Sequence, residues 1–304
     1  MIRMDERPKR NLASQLVPYG FVAPAVLLVA GFIAYPIIQN FMNSFYRFSA
    51  IDTVHQFVGL DNFVEAFSDK IFWLSLVNNV IFAAGSVVVQ VGMGLILAAL
   101  IERGIGFGKK FFQTVFFLPM IMSVVAVGLL WGFIYDPLVG LLNALLKIFG
   151  LPPHGWLGDP NTAIYAILIA ACWQYIGFCM IILLAGMKSI PHELYEASQI
   201  DGAGRWQNFF YITIPAIRNV ITTTILVTII GSFKVFDYIF VMTKGGPNYA
   251  SEVLAHYIYL QAFTLNKMGY ASTIASILFG ITLVFTMFQI RSIKTHELRE
   301  KRGK

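Results

Sequence analysis

Six apolar runs constrain what this chain can fold into: Pro18 to Gln39, Leu74 to Leu100, Phe111 to Tyr135, Ala163 to Met187, Val220 to Met242 and Tyr270 to Ile290. About 20 apolar residues cross the roughly 30 Å of hydrocarbon in a bilayer. Lipid offers no partners to backbone N–H and C=O groups, so runs of this length must satisfy themselves as helices. The predicted fold class is therefore all-α: a polytopic membrane protein of about six transmembrane helices. Pro24, Pro36 and Pro119 lie inside the runs and predict kinks or ends. Composition agrees, because 57% of the 304 residues are hydrophobic and 12% are charged, whereas soluble domains carry about 25% charged residues.

Lysine and arginine placement sets the orientation. With the N-terminus inside, the inside segments hold Arg3, Arg7, Lys9, Arg10, Arg103, Lys109, Lys110, Lys188, Arg205, Arg218, Arg291, Lys294, Arg299, Lys301, Arg302 and Lys304. The outside loops hold only Arg47, Lys70, Lys147, Lys244 and Lys267, while Lys234 falls within a run. That asymmetry follows the positive-inside rule and predicts both termini in the cytoplasm. The net charge of +6 then reflects topology. It does not point to nucleic acid, which needs basic residues gathered on one face. The predicted organisation is an N-terminal tail (1–17), a membrane domain (18–290) and a basic C-terminal tail (291–304). The first run is too long for a signal-peptide core, and no small-residue cleavage site follows it.

The stretch KSIPHELYEASQIDGAGRWQNFFYITIPAIRN, between the fourth and fifth runs, is too long for a simple helix connection, which usually takes about 2–8 residues. Ser189 is a candidate N-cap, with Pro191, Glu193 and Glu196 suited to an opening turn. Gly202 and Gly204 then break the helix. A second short turn over Arg205 to Tyr211 precedes Pro215. The loop, residues 188–216, is predicted to be an amphipathic helix-turn-helix on the cytoplasmic surface. Of the outside loops, the one from Asp136 to Thr162 contains GLLNALLKIFG, a short amphipathic interfacial helix, and KGGPN ends the fifth run in a turn.

At the 188–216 loop the chain resembles the permeases of binding-protein-dependent ABC importers. Their signature is Glu-Ala-Ala, three residues, Gly, nine residues, then Ile-x-Leu-Pro; here it falls on Glu196, Ala197, Ser198, Gly202, Ile212, Ile214 and Pro215, with Ser198 and Ile214 as size-conservative departures. PYGFVAPAVLLVAGFIAYPIIQNFMNSF, FVGLDNFVEAF, FFLPMIMS and SFKVFDYIFVMTKGGPNYASEVLAHYIYLQAF extend the resemblance to the carbohydrate branch, in particular to the first maltose-importer permease and to glycerol-phosphate permeases. The resemblance implies that Glu196, Ala197, Ser198, Asp201, Gly202, Ala203, Ile212 and Pro215 form a coupling element that docks on a cytoplasmic ATPase. It also implies a second homologous permease, two ATPase subunits and an external solute-binding protein as partners, and a sugar, oligosaccharide, polyol or glycerol phosphate as cargo.

Polar residues inside apolar runs are costly and mark pathways. Asn79, Ser86 and Gln90 share one face of the second run. Thr224, Thr228 and Ser232 share one face of the fifth, where Lys234 and Asp237 are an i, i+3 pair of opposite charge. Ser232, Phe236, Asp237 and Tyr238, with Trp173 as a further ring, complete the candidate pathway, since a sugar needs hydrogen bonds and aromatic faces. Against this, Ser and Thr often bond their own helix backbone, and Lys234 and Asp237 can neutralise each other.

The chain offers no catalytic set. GIGFGKK lacks the spacing and the final Ser or Thr of a phosphate-binding loop, so ATP and Mg are expected on partner chains. His55, His154, His192, His256 and His296 lie at no metal-ligand spacing. Cys172 and Cys179 are two turns apart, too far for a disulfide. An ion-coupled secondary transporter is the alternative, but it calls for midplane charges and internal repeats, and only Lys234 and Asp237 qualify. A membrane-embedded enzyme calls for paired carboxylates or a histidine cluster within the runs, which are absent from the sequence.

Overall fold

The structure is a computed structural model that describes residues 12–52, 54–103 and 108–302; Arg3, Arg7, Lys9, Arg10 and Lys304 of the tails and Gly104 to Phe107 of GIGFGKK lie outside them. Four continuous helices are long and apolar enough to cross a membrane: Tyr19–Asn43, Lys70–Glu102, Ala163–Lys188 and Met268–Arg291. Two bent helix pairs, Lys109–Ile121 with Val124–Ile134 at 98° and Arg205–Ala216 with Arg218–Phe233 at 69°, bring the candidate spans to six when each pair is counted as one broken span. Counted so, they correspond to the six apolar runs. A two-residue antiparallel ladder pairs Tyr46 with Phe57 and Arg47 with Gln56.

The fourth span is the hub. Of its membrane-length window 61% is buried, against 0% in the first span and 17% in the sixth. In lipid, helices gain by close packing, which favours small residues at their crossings. A Cβ on Gly177 would lie 1.9 Å from the Phe116 carbonyl of the third span, and one on Gly94 would lie 2.9 Å from Cys179 Cβ. Gly186 meets Val220 of the fifth span in the same way, at 3.0 Å. Ala166, Ala170 and Ala171 are buried on the same helix.

Two of the prolines act through the backbone one turn earlier. A proline ring clashes with the carbonyl four residues before it and withdraws one hydrogen bond. Residue 32 lies in the π-helical turn Ala30–Ala34 before Pro36, and residue 211 lies in the π-helical turn Phe209–Thr213 before Pro215. The widened turn accommodates the displaced carbonyl. Pro119 sits two residues before its helix ends at Ile121, where Met122 turns extended. The helix Leu12–Val29 continues through Pro24 without a break.

Two expectations are corrected. The fifth run is not one helix to Met242: its helix ends at Phe233, and a separate helix starts at Asp237. Ser189 is no N-cap either. Its Oγ donates to the Gly186 carbonyl at 2.7 Å, closing the fourth span, and the next helix begins at His192 with Pro191 at the cap position. The short amphipathic helix is present at Leu141–Ile148.

Candidate translocation pathway and coupling loop

A cavity of about 250 Å³ lies where the fifth span breaks. Phe82 and Gln90 of the second span, Val124 of the third, and Ala171, Tyr175 and Phe178 of the fourth form one side. Val227, Thr228, Gly231, Ser232 and the segment Lys234 to Tyr238 form the other. The break presents its charges openly: Lys234 and Asp237 are exposed, and no ion pair within 4.0 Å joins them among the described residues. Phe236 is half-buried and Tyr238 is buried.

Of the residues expected along the pathway, Gln90, Ser232, Phe236, Asp237 and Tyr238 come together here, with Thr228 and Lys234. Asn79, Ser86, Thr224 and Trp173 do not line the cavity. Asn79 is fully buried and binds helix ends together: its Nδ2 donates to the Ser232 carbonyl at 3.4 Å, and its Oδ1 accepts from Leu254 N at 2.8 Å. Ser86 is buried, and Trp173 packs edge-on against Trp131. Thr224 and Ser232 donate to carbonyls four residues earlier, at 2.8 Å each, so their hydroxyls are held by their own helix.

Gln174 belongs with this site although it was not among the expected residues. It is buried, its Nε2 donates to the Met122 carbonyl at 2.8 Å, and its Oε1 accepts from the Tyr238 hydroxyl. One side chain thus satisfies the carbonyl freed at the 98° bend and anchors the ring beside the fifth-span break. A glutamine within an apolar run is the same signal that singled out Gln90.

At the other end of the fifth span stands the helix-turn-helix. Its first helix is His192–Ile200. Gly202 adopts φ +77°, and Ala203 N donates to the Ser198 carbonyl at 2.9 Å, a Schellman closure that a left-handed glycine permits. Gly204 N then donates to Gln207 Oε1 at 2.7 Å and starts the turn Arg205–Asn208. Ser198, Asp201, Gly202, Ala203 and Ile212 line one cleft of about 270 Å³, with Gln207, Asn208 and Tyr211. Glu196 and Ala197 stand exposed beside it, and Pro215 begins the climb into the span. Ile200 is 87% exposed, Tyr211 80% and Trp206 75%.

Residues 90–293 match the family described as the inner membrane component of binding-protein-dependent transport systems. The chain belongs to this family. The probable ABC transporter permease protein YurN of Bacillus subtilis is 41% identical over 285 residues, which cover 93% of this chain and 97% of that one. The lactose transport system permease protein LacF of Rhizobium radiobacter is 34% identical, with 88% and 91% covered. Among solved structures, a bacterial ABC transporter that imports the acidic polysaccharide alginate aligns with TM-score 0.82 and 25% identity over 93% of this chain and 97% of that chain. This family member is a multi-pass inner membrane permease subunit.

Proposed function

We propose that the chain is one half of the channel of an ABC importer for a carbohydrate. The observation that carries this reading is that one span bears both functional ends. Arg218–Phe233 starts at the coupling loop and ends at the cavity. Sixteen residues at 1.5 Å each make a rod of about 24 Å. A shift of the loop on an ATPase is thereby carried to Lys234, Phe236 and Asp237 as a rigid-body movement, the mode by which bundles alternate access.

The cargo class is supported by the relatives, one named for lactose and one structure for alginate, and by a wall that mixes amide, charge and aromatic faces. Lys234 and Asp237 are too costly to leave against lipid, so a second permease covers this face and shares the pathway. ATP and Mg belong to two partner ATPase chains, and an external solute-binding protein delivers the cargo; a neighbouring structure includes an alginate pentasaccharide-bound periplasmic protein. Both termini lie in the cytoplasm, which places the 188–216 loop beside the ATPases.

The test is reconstitution with the permease, ATPase and binding-protein chains of the same system in proteoliposomes. The sugar used is the one that raises the binding protein's melting temperature in a screen. Accumulation that requires ATP is expected; uptake driven by an ion gradient without ATP overturns the reading.

A further inference from the structure

Glu252 and His256 are buried acid and base residues with no part in the mechanism above. Glu252 is 1% exposed and His256 4%. His256 Nδ1 and Glu252 Oε1 are 2.6 Å apart, a short hydrogen bond between two buried side chains. The second carboxylate oxygen, Oε2, has no hydrogen-bond partner, an expensive arrangement for a buried carboxyl. It lies against the backbone of Gly245, where an added Cβ would sit 2.2 Å from it.

The histidine ring has its own neighbours. It stacks on Phe236 at 5.9 Å with 29° between planes, and it contacts Phe240 and Tyr259. Phe236 is a wall of the cavity. Gly245 belongs to the loop 243–251, which is tightly held: Thr243 and Ser251 hydroxyls are 2.7 Å apart, and Asn78 Nδ2 donates to the carbonyls of Ala250 and Glu252. A carboxylate thus has the loop on one side and, through one imidazole, a cavity ring on the other.

We infer that Glu252 and His256 are a positioning pair: they set the orientation of Phe236 in the pathway wall and tie that ring to the loop 243–251. The inference rests on the reading that Phe236 and Asp237 line the pathway. A pair that served packing alone would have no need of a buried carboxyl with one oxygen left without a hydrogen bond, since an apolar side chain of equal size fills the same space without that desolvation cost.

The experiment uses the full importer in nanodiscs, with Cys172→Ala and Cys179→Ala and with Asp237→Cys as reporter. The probe is a trimethylammonium methanethiosulfonate reagent, and the readout is its labelling rate. Glu252→Gln keeps the shape and weakens the bond, whereas His256→Phe keeps the stacking and removes the bond. Each is expected to change the rate about fivefold or more, the scale of one buried hydrogen bond. In a Phe236→Ala background neither is expected to change it further. Rates within twofold with Phe236 present, changes that persist undiminished without Phe236, or failure of both variants to assemble each overturn the positioning role. If Asp237→Cys stays unlabelled in every background, the pathway reading falls, and the inference with it.

Discussion

The hydroxyls of Tyr195 and Thr213 are 2.9 Å apart, joining the first helix of the coupling loop to the π-helical turn at the base of the fifth span. Thr213 Oγ1 also donates to the Asn208 carbonyl at 3.2 Å and is buried. Under the proposed function, movement of the loop reaches the span through these hydroxyls as well as through the chain. Tyr195→Phe removes one of these bonds, worth ~1 kcal/mol, and Thr213→Val removes both, ~2 kcal/mol. Binding-protein-stimulated ATP hydrolysis in proteoliposomes is expected to fall in that order, with Thr213→Val lower.

Gly202 separates the effect of backbone strain from that of contact. It has φ +77°, and nothing lies within 4 Å of an added Cβ. Gly202→Ala therefore meets only the left-handed penalty of about 1–2 kcal/mol and is expected to retain part of the transport rate. Gly202→Pro cannot adopt that φ. It is expected to abolish transport and ATPase stimulation while the protein still inserts, as judged by membrane yield and by detergent gel filtration.

Much of this architecture is written in local chemistry. The candidate spans follow from run length, and the helix-turn-helix before the fifth from Pro191, Gly202 and Gly204. The break after Phe233 carries no helix-stop residue, because Lys234 to Phe236 contains neither glycine nor proline and the run, interrupted by Lys234 and Asp237 alone, stays apolar to Met242. Tertiary partners decide it: Asn79 takes the Ser232 and Phe233 carbonyls, and Tyr238 reaches Gln174. Ser189 had the composition of an N-cap, but the nearer orphan carbonyl, that of Gly186, claimed its hydroxyl. Period and spacing report on a single helix; a contact between two spans has no local signature.

Close packing of the fourth span predicts a contrast between two glycines. A methyl on Gly177 would collide with backbone, the Phe116 carbonyl at 1.9 Å, whereas one on Gly132 meets nothing within 4 Å. Gly177→Ala must push two helices apart and is expected to cost on the order of 3 kcal/mol. Gly132→Ala loses no contact and gains about 0.5–1 kcal/mol of helix propensity. Thermal denaturation of the assembled importer, followed by size exclusion after heating, checks the two shifts, expected in opposite directions.

Lys234 and Asp237 are three residues apart, yet no ion pair joins them, and both are exposed at the mouth of the cavity. Had they neutralised each other, removing one would strand a charge and removing both would restore function. Independent residues on a shared pathway behave otherwise: each single change harms transport, and the double change harms it further. Lys234→Met, Asp237→Asn and the double variant form the cycle. Their coupling energy in the transport rate is expected to stay below about 0.5 kcal/mol, the range for sites that do not interact. A double variant that recovers the parental rate would show a closed ion pair in the working importer, and the pathway wall would have to be drawn without these charges.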